Sequence, residues 1–187
     1  MSVTINHIAT HFSLKINGPI KWGMDCMSKK SGVYIICYPG TSSACPLDMR
    51  IINFWCSSTR NKTFKTGSPL IPSVLVSELT KYWIPNEQIV YVGKASCLRT
   101  RLFQYYRTPL GKRGPHSGGY WIKTLQNINM LDIYWIEDKK PAILEQKILV
   151  FFNKSTTCGT GMLCLPYANL EITRRLRKRH IIRRPNI

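Results

Sequence analysis

Two side chains in this sequence stand where packing alone would not put them. In LRTRLFQYY, residues 98–106, Leu98, Arg101, Leu102 and Tyr105 fall at i, i+3, i+4 and i+7, one apolar stripe with an arginine in its middle. Such an arginine either lays its stem on the core with its head in water or has a task beyond packing. In PAILEQKILVFF, residues 141–152, Ala142, Leu144, Ile148, Leu149, Phe151 and Phe152 form a broad apolar arc at 100° per residue. Glu145 falls inside that arc, between Ile148 and Leu149. A carboxylate on the core-facing side of a helix must be paired, protonated or bound to a cation, since an unpaired buried charge costs several kcal/mol. A metal ligand and a buried Glu–Arg pair both meet that demand, and the two do not exclude each other.

The elements that must hold these groups can be read from the same stretches. Ile89 to Val92 is a short apolar strand, Gly93 a glycine turn, and Ser96 the N-cap of the helix that carries Arg101. Residues 131–136, LDIYWI, form a later strand, and Pro141 sits at the first position of the helix that carries Glu145.

Tyr91-Val92-Gly93-Lys94-Ala95, followed by Leu98-Arg99, Arg101, Tyr105 and Arg107, closely resembles the second half of the GIY-YIG nuclease motif. Gly32-Val33-Tyr34, running into Ile35, Ile36 and Cys37, resembles its first half. Ala142-Ile143-Leu144-Glu145 is similar to the helix that bears the family's metal-binding glutamate. Leu165-Pro166-Tyr167-Ala168-Asn169 resembles its Pro-aromatic-x-Asn ending, reached here through a longer loop, residues 153–164, than the repair enzymes have.

The resemblance covers about residues 31–170 and implies an α+β domain with a small central antiparallel β-sheet flanked by helices. It further implies a metal-dependent endonuclease in which Glu145 holds one divalent cation, Mg²⁺ or Mn²⁺, with water and phosphate completing its shell. Arg101 would stabilise the pentacovalent phosphate, and Tyr34 and Tyr91 would orient or deprotonate the attacking water, with Lys94 a rival base. Tyr105 takes a further active-site position, and Asn169 closes the set. Each tyrosine could instead be a core residue with a satisfied hydroxyl.

Composition sets the outer limits. The chain has 187 residues, enough for one domain with a sizeable insertion, and 27 Lys and Arg against nine Asp and Glu give a net charge of +18. An excess of one sign repels itself unless it meets a polyanion, so nucleic acid is the expected partner. There is no run of 18 or more apolar residues and no leader-like N-terminus, which predicts a cytoplasmic protein without a membrane partner or a small-molecule cofactor. The seven cysteines contain no C-x-x-C pair. Cys26, Cys37, Cys45 and Cys56 are spaced by 11, 8 and 11 residues, looser than structural zinc sites, so reduced thiols acting as small hydrophobes are expected.

Residues 1–30 read as an extension holding a short helix or a strand, then a turn at Asn17-Gly18-Pro19. The nuclease-like core runs over 31–170, with an insertion at about 41–88 that separates Tyr34 from Tyr91 by 57 residues. Within it, 49–56 reads as a strand, 57–68 as a polar loop carrying Arg60, Lys62 and Lys65, and 72–83 as a helix capped near Ser73. The loop is either a DNA-contacting element or a cover for the sheet edge.

A glycine-rich basic turn, 111–119, offers Lys112 and Arg113 to a phosphate and carries His116. That histidine could assist proton transfer, contact DNA, or simply be solvated. Residues 120–125 read as a short helix. The tail, 171–187, carries Arg174, Arg175 and Arg177 in a run without acids, a phosphate-binding arm beside a nuclease motif. An architecture without appended domains resembles a type II restriction endonuclease cutting double-stranded DNA as a homodimer. A repair-type nuclease and a non-catalytic basic binding module are the alternatives.

Overall fold

The computed structural model describes residues 2–58, 70–80, 83–110 and 119–155. Among them lie α1 (Ile5–Phe12), β1 (Asn17–Lys21), β2 (Gly32–Cys37), α2 (Met49–Ser58), α3 (Pro72–Thr80), β3 (Ile89–Ala95), α4 (Leu98–Arg107), β4 (Asp132–Glu137) and α5 (Pro141–Ser155). Two 3-10 helices, Tyr120–Thr124 and Ile128–Met130, join α4 to β4. The strands form one sheet in the order β1-β4-β2-β3, every neighbouring pair antiparallel. The α+β class and the small antiparallel sheet flanked by helices are those read from the sequence.

β2 is buried along its whole length, which explains why GVYIIC is apolar without alternation. Its residues divide between two cores. Val33, Ile35 and Cys37 face a layer made by Ile8 of α1 and Leu144, Ile148, Leu149 and Phe152 of α5. Tyr34 and Ile36 face the other, where Ile52 of α2, Leu75 and Leu79 of α3, and Leu98, Leu102 and Tyr105 of α4 collect with Trp121, Ile122 and Leu125.

Residues 1–30 supply both a helix and a strand. Thr4 caps α1 by accepting from the His7 backbone N–H at 3.2 Å, and the His7 ring accepts from the Thr4 N–H. The buried Glu87 carboxylate accepts from Ser2 Oγ and Val3 N, each at 3.0 Å, and ties the start of the chain to the segment before β3. Asn17-Gly18-Pro19 is the entry of β1 rather than a turn. Gly18 sits at φ +107, where a Cβ would come within 2.7 Å of the Ile133 carbonyl oxygen, and the register slips between Asn17 and Ile20.

Four further expectations are corrected. Residues 49–56 form a helix and not a strand: Asp48 accepts from the Arg50 N–H at 2.9 Å as a cap, and the buried positions, Ile52 and Cys56, are four apart. Gly93 lies inside β3, paired with Tyr34, so the strand runs on to Ala95 instead of turning. α4 then opens at Cys97, not Ser96, and its first N–H groups donate to the chain before β2, Leu98 N to the Lys30 carbonyl at 2.9 Å and Arg99 N to that of Ser28 at 2.8 Å. On α5 the arc is narrower than drawn, since Ala142 is exposed while Leu144, Glu145, Ile148, Leu149 and Phe152 are buried. Cys26, Cys37 and Cys56 are buried free thiols, and burial pushes the Cys37 and Cys45 thiols up. Among the described residues no helix is long and apolar enough to cross a membrane.

Candidate active site

Side chains alternate along a strand, so Tyr91 and Gly93 of β3 share the face of Tyr34, while Val92 and Lys94 point to the other. Tyr34 lies directly opposite Gly93 in the ladder, and Tyr91 opposite Ile36. With no side chain at Gly93, the two phenol rings close over its backbone, stacked with centroids 5.7 Å apart and planes 24° from parallel. A Cβ at Gly93 would fall 2.5 Å from Tyr91 Cε1 and 2.7 Å from the Tyr34 hydroxyl. The glycine is required by close approach, not by a turn.

α4 lays its apolar stripe on this face. Leu98, Leu102 and Tyr105 are buried, with Arg101 half-buried among them. The Tyr105 ring sits 6.1 Å from that of Tyr91 and 5.0 Å from that of Trp22, edge to face with the indole, and its hydroxyl donates to the Gly119 carbonyl. Tyr34 is held deep in the group. Burial pushes its phenol well above the ordinary range, the neighbouring Tyr91 and Tyr105 and a hydrogen bond with Tyr91 push the same way, and the Arg101 guanidinium opposes them. A phenol so placed is neutral at physiological pH and acts as a hydrogen-bond donor or an orienting group rather than as a ready phenolate base.

Glu145 reaches the same strand from the opposite side. It is buried at 9% exposure on α5, and its Oε2 lies 2.7 Å from Lys94 Nζ, half of whose side chain is exposed. The partner of the carboxylate is thus a lysine and not an arginine. Lys94 and Tyr91 are about 10 Å apart along the strand and on opposite faces. Among the described residues β3 is an edge strand, so both groups lie on the outer strand of the sheet. The Lys94 ammonium already meets the need of a buried carboxylate for a partner, so a hard cation at Glu145 would be held by the other oxygen, with water and phosphate filling the rest of its shell. Among the described residues no three His, Cys, Asp or Glu side chains group around a common point.

The fold therefore brings together Tyr34, Tyr91, Arg101 and Tyr105 on one face of the sheet, and joins Lys94 to Glu145 on the other. His116, Asn169, Arg60, Lys62, Lys65, Lys112, Arg113, Arg174, Arg175 and Arg177 lie outside the described residues.

Lys123 is a member of this neighbourhood that sequence reasoning misses. Its Nζ donates to the Tyr106 carbonyl at 3.2 Å and to that of Thr108, closing the C-terminal end of α4, and lies 5.8 Å from the centre of the Tyr105 ring. Burial lowers its pKa to about 8. The signal that could have found it is the one that marks Arg101: a lone cation among apolar residues, here in YWIKTL. No family model, curated protein or solved structure matches the chain.

Proposed function

We propose that this protein is a metal-dependent DNA endonuclease of GIY-YIG type, and that it cuts double-stranded DNA at specific sites in the manner of a type II restriction enzyme. The observation that carries the reading is the joint one: two tyrosines stacked over Gly93 on the face where α4 sets Arg101, and a buried carboxylate paired with Lys94 on the opposite face of the same strand. Phosphodiester hydrolysis needs a positioned water, donors where negative charge grows, and help for the leaving oxygen. Arg101 supplies a fork of donors for the phosphate oxygens. Tyr91, half-buried, orients the water, and Tyr34 fixes Tyr91 through their hydrogen bond. Tyr105, its hydroxyl given to Gly119, is a positioning residue whose ring backs Tyr91. Lys94 holds the Glu145 carboxylate in place. A divalent cation bound at Glu145 supplies Lewis acidity and lowers the pKa of a coordinated water.

The net charge of +18 favours a polyanionic substrate, and cutting two strands with one site per chain calls for a homodimer on a palindromic sequence. The test is digestion of a long phage DNA of known sequence with Mg²⁺, with EDTA, and by the Glu145→Ala variant. Discrete bands that require Mg²⁺ and vanish in the variant are expected. Cutting confined to branched or damaged DNA would replace the restriction reading with a repair one, and binding without cutting of any DNA would reject the enzyme.

A further inference from the structure

Three segments meet at one end of the sheet. β2 begins there, β3 and β4 end there, and Gly32 pairs with both Ala95 and Glu137. The Lys30 and Ser28 carbonyls accept from the first turn of α4, and Ser31 is bound twice to Asp138, which in turn accepts from the Lys140 N–H. Six exposed cations lie about this clamp: Lys29 and Lys30 before β2, Lys94 near the end of β3, Arg99 in the first turn of α4, and Lys139 and Lys140 between β4 and α5. Three carboxylates share the end. Glu137 is taken by Lys30 at 2.6 Å and Glu145 by Lys94 at 2.7 Å, while Asp138 caps the turn into α5.

We infer that this end of the sheet is a track for the phosphate backbone of duplex DNA, with Arg99, Lys139 and Lys140 as its main contacts, leading one strand onto the β3 edge. The inference rests on the nuclease reading and adds the surface and the direction of approach. In the sheet order the ends of β4, β2 and β3 span about 10 Å, two strand spacings. That span lets neighbouring phosphates of one DNA strand meet cations from different strand ends. The clamp fixes the backbone under the lysines, so a phosphate meets a preformed row rather than loose arms. Arg99 and Arg101 share α4, and Lys140 and Glu145 lie five residues apart across the start of α5, so a strand on the track is already beside the proposed site.

The test compares two sets of three substitutions: Arg99→Gln with Lys139→Gln and Lys140→Gln, and Lys21→Gln with Arg50→Gln and Lys147→Gln, three exposed cations elsewhere. Binding of a fluorescein-labelled duplex of about 30 bp is followed by anisotropy in EDTA over a salt series. The first set is expected to weaken binding at least about tenfold at about 0.1 M salt and to reduce the slope of log affinity against log salt by about 3, one for each phosphate no longer neutralised. The second set removes the same charge and should leave both quantities near the wild type. An unchanged slope in the first set, or an equal loss in the second, would overturn the track. Tighter binding of duplex RNA, with the first set losing that instead, would overturn DNA as its occupant. Cutting is scored separately with Mg²⁺: a wild type that binds through the track but cuts nothing refutes the nuclease and leaves the track standing.

Discussion

The sheet has one face that is aliphatic apart from the Lys94–Glu145 pair on β3, and one where aromatic hydroxyls collect. On the α1 and α5 side, Val33, Ile35, Val92, Ile136, Ile148, Leu149 and Phe152 are all at 3% exposure or less and carry no hydroxyl or charge. On the α4 side the positions alongside are Tyr34, Tyr91 and Tyr105, bordered by Arg101, Lys123 and Trp22. The aliphatic face stabilises by area removed from water, about 25 cal/mol per Å², and asks little of geometry. The aromatic face buries rings whose hydroxyls also need partners: Tyr105 finds Gly119, Tyr34 and Tyr91 find each other beside the guanidinium, and the buried Tyr106 hydroxyl has none among the described residues. The orienting of hydroxyls, which hydrophobic burial cannot do, falls to the α4 side of β2 and β3, while the α5 side orients the single Lys94–Glu145 pair.

Substitutions should separate the two faces. The largest effect on stability is expected from Phe152→Ala, which opens a cavity at a site of 1% exposure and should cost about 3–5 kcal/mol in urea unfolding. Gly93→Ala should cost about 1–3 kcal/mol, because the methyl group must push the Tyr34 hydroxyl or the Tyr91 ring aside. It should also lower cutting about a hundredfold at temperatures where the variant stays folded, since a displacement near 1 Å has that order of effect. A Gly93→Ala protein that cuts like the wild type would dissolve the distinction between the faces.

Smaller effects lie in pH. The folded Tyr34 phenol titrates above the unfolded one, so its contribution is complete below about pH 10 and is lost as pH rises beyond that. Tyr34→Phe should therefore flatten the alkaline fall in stability. Lys123 behaves in the opposite sense. Its folded pKa of about 8 lies below the unfolded value of about 10.4, so the unfolded chain holds the extra proton in between. Relative to Lys123→Met, wild-type stability should rise between about pH 8 and 10.4. Thermal melts from about pH 7 to 10.4 check the Lys123 sign, and melts carried above about pH 10 check that of Tyr34.

The sequence makes some of this legible and hides the rest for physical reasons. The motif-bearing strand and helix, the long apolar β2 and the place of Glu145 are readable because period and burial agree there. α2 reads as a strand because MRIINFWC is rich in β-branched and aromatic residues, and only the cap at Asp48 and the four-residue spacing of Ile52 and Cys56 favour a helix. Gly93 looks like a turn because its purpose, room for the Tyr34 ring of another strand against that of Tyr91, is a tertiary demand. The Lys94 partner of Glu145 likewise depends on which face each element presents, which register alone decides.

The measurement closest to the central claim pairs Arg101→Ala with Glu145→Ala, reading duplex-DNA affinity in EDTA and cleavage rate in Mg²⁺ on the same preparations, with circular dichroism to confirm folding. Both variants should bind within a few-fold of the wild type while cleavage falls by at least about 10²–10³. Cutting retained in either variant, or binding lost together with cutting in both, would contradict the site assigned to the β3 edge.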